Sequence, residues 1–205
     1  LSIDPIYPDL PDLLQLARWG LDWLLKMQSE DGSVLHKVDS QPALTWNFLP
    51  SDDPAPRAAM APSSIDAGVF AGVTSHAARI FAGLDPAYAN RCSAAAKHAW
   101  SWLVANPNVL HSDAYYRDGD VSQETLWAAC EMAILNGQDP KTVTLPDVPA
   151  IPFFWQSPHV LGLFSLALAG NVVATKKIID GAKSISTRVS QDPYGFSPLP
   201  QSYHW

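Results

Sequence analysis

What most constrains this chain is a series of segments whose apolar residues recur at helical spacing, most of them closed by a glycine or a proline. Leu10, Leu13, Leu14, Ala17, Leu21, Leu24 and Leu25 share one stripe of a first helix, and Gly32 beyond a charged turn marks its stop. Residues 65 to 83 repeat the pattern with Val69, Val73, Ala77, Ile80 and Phe81. Gly83 ends that segment just before Asp85-Pro86, a dipeptide suited to open the next helix. Tyr88, Cys92, Ala95, Ala99 and Trp102 then line a third helix up to Asn106-Pro107, and the tight junction makes the second and third an antiparallel pair. A fourth helix runs from about Ser122, read as its N-cap, through Leu126, Trp127, Cys130 and Ile134 to Gly137. Val160 to Leu168 is apolar on every side, which predicts an interior helix. The sixth, with Val172, Val173, Ile178, Ile179, Ala182, Ile185 and Val189, is amphipathic and stops before Pro193.

Strand-like alternation is scarce, with Gly32 to Val38 and Thr142 to Leu145 as short exceptions. The fold class is therefore all-α, built from paired antiparallel helices. Close links alternate with long ones at 30–63, 106–120, 138–157 and 190–205, and connections of that length inside a domain usually carry function. The 138–157 link is long where alternation wants a short one, so a short or degenerate helix is expected inside it. No fixed-period repeat supports a solenoid.

Composition removes several classes of function. A formal charge of −7, from 13 basic against 20 acidic residues, excludes a phosphate-clamping surface and hence a nucleic-acid partner. No stretch reaches the roughly 18 to 20 apolar residues of a membrane span. Cys92 and Cys130 both fall in helical segments and read as buried thiols rather than a disulfide or metal pair. The sequence contains no Walker-type loop, His-Glu-x-x-His, Gly-x-Ser-x-Gly or Gly-x-Gly-x-x-Gly.

The stretch "LARWGLDWLLKMQSEDGSVLHKV" resembles the opening of the central part of family 9 glycoside hydrolases. The resemblance continues in order through "DDPAPRAA", "ARIFAGLDPAYANRCSAAAKHAWSWL", "SQETLWAACEM", "LGLFSLALAG" and "YGFSPLP". It covers essentially residues 1–205, which read as a partial, central catalytic domain. It implies about half of an (α/α)6 barrel and, at family level, inverting hydrolysis of β-1,4-glucosidic bonds by a secreted endo-β-1,4-glucanase. An Asp base and a distant Glu acid, held apart to admit water, would do that chemistry. In the family the base sits in an Asp-Ala-Gly-Asp-Tyr motif upstream, and the acid lies downstream with a His-His-Arg motif. None of these occurs here, so no catalytic residue is assigned and the chain by itself is expected to be inactive. "SYHW" matches the Tyr-x-Trp of a further family stretch, and its loop is expected to continue into the rest of the barrel.

Substrate-contact candidates follow from the same resemblance. His36 generically reads as a surface or locally bonded histidine, but it matches the family's His-Lys element beside the cleft, where imidazole bonds sugar hydroxyls. Leu35 stands where the family usually has Tyr. Tyr115 and Tyr116 are either packing lids or sugar contacts, and Tyr115 matches a position that meets the sugar at the cleaved bond. Trp155 either caps the core or lines the groove, whereas Trp205 matches a family platform for a pyranose ring. Trp19, Trp23, Trp100, Trp102 and Trp127 sit at helical spacing among apolar neighbours and read as core, with Trp46 undecided. The family's calcium positions read Gln123-Glu124 and Gln156 here, so no cofactor is expected, or at most a weak calcium site at Glu124 with Asp118 or Asp120. The implied partners are a β-glucan oligosaccharide or cellulose and the flanking parts of the same catalytic domain. The alternatives are a non-catalytic β-glucan-binding module and a plain helical interaction module.

Overall fold

The computed structural model describes residues 10–41, 49–111, 119–149 and 157–195. Six helices dominate: α1 Asp12–Leu24, α2 Ser64–Phe81, α3 Pro86–Ala105, α4 Ser122–Leu135, α5 His159–Leu168 and α6 Val172–Gln191. Between α1 and α2 lies a two-stranded antiparallel hairpin, β1 Val38–Ser40 with β2 Arg57–Ala59, in the register Val38 opposite Ala59.

Local chemistry sets the helix starts. Ser63 caps α2 by accepting from the Asp66 N–H, Asp85 caps α3 by accepting from Tyr88, and Asn171 caps α6 by accepting from Ala174. Pro86 occupies the first turn of α3, where its missing N–H costs nothing. Helix α4 departs from expectation. Its cap is Val121, and Ser122 lies inside the first turn with its N–H donated to the Asp120 carboxylate at 2.9 Å.

The α2–α3 pair is antiparallel. Ala67, Phe70 and Ala71 cluster with Ala99 and Leu103, while Ala77, Ala78 and Phe81 cluster with Tyr88, Ala89 and Cys92. Helix α4 packs on the other side of α2 in the same direction: a Cβ on Gly68 would meet Glu124, and one on Gly72 would meet Trp127. Further along, Ser75 reaches Met132 and Arg79 reaches Glu131. Helix α5 continues the row, with Gly162 against Cys130 and Ser165 bonded to Glu131. Helix α6 returns along α5, with Ala174 in the cluster of Cys130, Leu163 and Leu166. Thus α2, α4 and α5 form a parallel inner row, with α3 and α6 as its antiparallel partners.

The 138–157 link contains a 3-10 turn at Pro140–Thr142, the degenerate element expected there. Three other expectations need correction. Thr142 to Leu145 forms no strand; its backbone follows the 3-10 turn, and the Val143 and Pro140 carbonyls accept from Asn171. Gly32 to Val38 pairs only at isolated bridges, Val34 with Gln28 and Leu35 with Pro62, and the ladder starts at Val38. Helix α5 is buried only along His159, Val160, Leu163 and Leu166, whereas Leu161 and Phe164 face outward and Leu168 is 90% exposed. Of the tryptophans read as core, Trp127 is buried and Trp100 and Trp102 are partly so, but Trp19 is 66% and Trp23 50% exposed. The inward stripe of α1, notably Leu21, packs on α2 and α3, and no described element covers the opposite face.

Candidate functional site

The site is built where the start of α2, the end of α3 and the hairpin converge. Leu35 donates its N–H to the Met27 carbonyl at 2.9 Å after a tight turn at Asp31-Gly32. That turn requires glycine: Gly32 has φ +91°, and a Cβ there would fall 2.7 Å from the His98 carbonyl oxygen. The Met60 N–H donates to the Lys37 carbonyl at 2.8 Å, so residue 36 is pinned between the turn and the ladder.

His36 Nδ1 faces both carboxylate oxygens of Asp66, at 3.0 and 3.2 Å. Asp66 lies in the first turn of α2, and its other contacts are local. The Ser63 hydroxyl donates to its Oδ2, and its own N–H donates back to Ser63 Oγ at 3.2 Å. A carboxylate only accepts, so Nδ1 carries the hydrogen. Both side chains are largely shielded from solvent.

A second serine fixes the other wall. Ser64 donates its N–H to the Val109 carbonyl at 2.7 Å, accepts from the Val109 N–H at 2.8 Å and donates its hydroxyl to the Asn106 carbonyl. These three bonds hold the exit from α3 against the start of α2. They bring the His111 ring parallel to that of His36, with centroids 3.8 Å apart and planes 11° from each other. The hairpin is braced separately by Asp53, which accepts from Ser40 and Arg57; the Ser40 hydroxyl, foremost, holds its carboxyl below the usual range.

Of the sequence-predicted contact residues, His36 is placed in this cluster. Tyr115, Tyr116, Trp155 and Trp205 lie outside the described residues, as do Trp46, Asp113, Asp118 and Gln156. The residues 112–118 that carry the two tyrosines follow directly on His111. Sequence reasoning missed Ser63, Ser64, Asp66 and His111. The signal for the first and third was the Ser-x-x-Asp spacing at the head of α2, a capping pattern; nothing local marks His111.

The acidic group considered for calcium is otherwise engaged. The Ser122 hydroxyl and N–H hold the Asp120 carboxyl below its ordinary range, and Glu124 is buried against Gly68. Among the described residues no three His, Cys, Asp or Glu side chains converge to hold a metal ion. The residues present do not form the several-carboxylate shell that calcium takes.

This architecture recurs in known proteins. A metagenome-derived glycoside hydrolase family 9 endoglucanase of known structure superposes with a TM-score of 0.80 at 30% identity, over 95% of this chain and 39% of that one. AaCel9A in complex with cellobiose-like isofagomine gives a TM-score of 0.75 at 26% identity, over 94% of this chain and 40% of that one. Endoglucanase C of Cellulomonas fimi is 28% identical, over 96% of this chain and 20% of its own length. The chain thus spans between a fifth and two-fifths of the length of these relatives. The glycosyl hydrolase family 9 model matches residues 4–147. The chain belongs to that family, and its helices are consistent with part of the family's (α/α)6 barrel.

Proposed function

We propose that residues 1–205 form a central part of an inverting endo-β-1,4-glucanase domain and contribute one wall of its glucan cleft. The observation that carries this reading is the match to a family 9 endoglucanase over 95% of the chain at 30% identity. The AaCel9A complex, whose ligand is cellobiose-like, supports a β-1,4-glucan as the substrate class. In this reading His36 bonds a sugar hydroxyl, while Tyr115, Tyr116, Trp155 and Trp205 offer aromatic faces and edges to the pyranose rings. The acid and base come from other parts of the catalytic domain, which are its partners along with the glucan. An insoluble glucan is met outside the cell, so the domain acts as a secreted one. No helix among the described residues is long and apolar enough to cross a membrane.

The test is a cellotetraose titration followed by tryptophan fluorescence, run beside a reducing-sugar assay. The 205-residue chain is expected to bind and release no product. Product from this chain alone would overturn the division of roles, and absence of any response to cellotetraose or xyloglucan oligosaccharide would favour a helical interaction module.

A further inference from the structure

We infer that Asp66 is a positioning residue for His36: it fixes the imidazole as the Nδ1–H tautomer, so that Nε2 is the ring nitrogen that accepts from a glucan hydroxyl. The glucan half of this statement rests on the function proposed above, whereas the tautomer rests on geometry alone. Both oxygens of Asp66 lie within 3.2 Å of Nδ1, and neither can donate while the carboxylate is ionised. The carboxylate cannot swing away easily, because Ser63 donates to Oδ2 and the Asp66 N–H returns to the same hydroxyl. The ring cannot tilt freely either, since His111 lies parallel to it at 3.8 Å and is held through the Ser64 bonds to Val109 and Asn106. A neutral ring whose Nδ1 is protonated has its lone pair on Nε2. The fold thereby decides that this histidine accepts from a sugar O–H rather than donating to a sugar oxygen. Second contacts of this kind set ring orientation and basicity wherever a histidine must bind with defined polarity.

The experiment uses the full 205-residue chain labelled with 15N, read by long-range 1H–15N correlation of the imidazoles, with the His36 signals assigned by their loss in His36→Ala. The wild-type spectrum is expected to show a protonated Nδ1 and an unprotonated Nε2 for His36. Asp66→Asn, whose amide can either donate or accept, should lose that preference and bind cellotetraose on the order of tenfold more weakly. The double variant with His36→Ala should bind no more weakly than His36→Ala alone, because Asp66 acts through the ring. Ser63→Ala, which removes the helix cap but keeps the carboxylate facing Nδ1, should retain the tautomer. An Nε2–H tautomer in the wild type overturns the inference even if Asp66→Asn does not fold. Additive losses in the double variant overturn the positioning role. A wild-type chain that binds no cellotetraose removes the glucan half and the proposed function with it, while the spectrum still decides the tautomer.

Discussion

At the scale of single residues, the most consequential group besides the site is Glu131. It is fully buried on α4 and receives hydrogen bonds from His76, Arg79 and Ser165, tying α2 and α5 to α4 through one carboxylate. Burial alone pushes its pKa up, but the bonds from His76 and Ser165 and the charge of Arg79 together reverse this and hold it below 4.5. Removing the carboxylate leaves these donors facing a void. Glu131→Ala is therefore expected to cost about 3 kcal/mol in urea unfolding at pH 7, and Glu131→Gln less. The sign of the pH effect follows from the depressed folded value. The stabilisation is complete above the unfolded glutamate pKa near 4.5 and fades as pH falls through the lower folded pKa, so the gap between wild type and Glu131→Gln should narrow below pH 4.5. The thiols behave in the opposite way. Desolvation raises Cys92 to about 11 and Cys130 to about 12. Neither thiol is expected to react with a disulfide reagent at pH 8 in the folded chain, and both should react at once in urea, as a thiol count before and after unfolding would show.

At the scale of elements, the close approach of α2 to α4 depends on residues without side chains. A Cβ on Gly72 would sit 2.8 Å from the Trp127 ring, and one on Gly68 would sit 2.7 Å from the Glu124 Cβ and 3.1 Å from its carbonyl carbon. Trp127 fills this space and is buried, so Gly72→Ala must push the indole or separate the helices. A loss of about 1–3 kcal/mol is expected by urea unfolding, despite the better helix propensity of alanine. Such glycines explain what the sequence could and could not disclose. The helices were legible because each buries a stripe at 3.6-residue spacing and closes on a cap or breaker, as at Ser63, Asp85 and Gly137. The α2–α3 pairing was legible because four residues cannot join two helices except as a hairpin. The alignment of α2 with α4 was not, because it rests on small residues at 68 and 72 whose meaning lies in a partner more than fifty positions away. The site was half legible for the same reason. His36 was reachable through a local motif, whereas Asp66 and His111 become its neighbours only once the Ser64 bonds have folded the α3 exit back onto α2.

At the scale of the whole molecule, the inward stripe of α1 is satisfied and its outward one is not. Leu21 packs against Phe81 and Tyr88, and Arg18 pairs with the Asp85 carboxylate at 2.6 Å, so the helix is firmly attached. Leu13, Leu16, Trp19 and Trp23 nevertheless face outward, and a groove of about 310 Å³ lined by Leu14, Ala17, Leu21, Val73 and Ile80 opens between α1 and α2. Scattered exposed leucines are ordinary, but four large apolar side chains on one helix beside an apolar groove form a continuous patch. The sequence read these tryptophans as core because periodicity reports that a face is apolar, not which neighbour covers it. The 205-residue chain is therefore expected to bind 8-anilinonaphthalene sulfonate while still unfolding cooperatively. Leu13→Gln, Leu16→Gln and Trp19→Gln together should remove most of that fluorescence yet shift the urea midpoint by no more than about 0.5 kcal/mol in stability, since the side chains replaced are already wet. A large loss of stability in the triple variant would mean that the face is packed in solution. Undiminished dye binding would place the exposed apolar surface elsewhere, with the outward side of α5 at Leu161, Phe164 and Leu168 the next to be substituted.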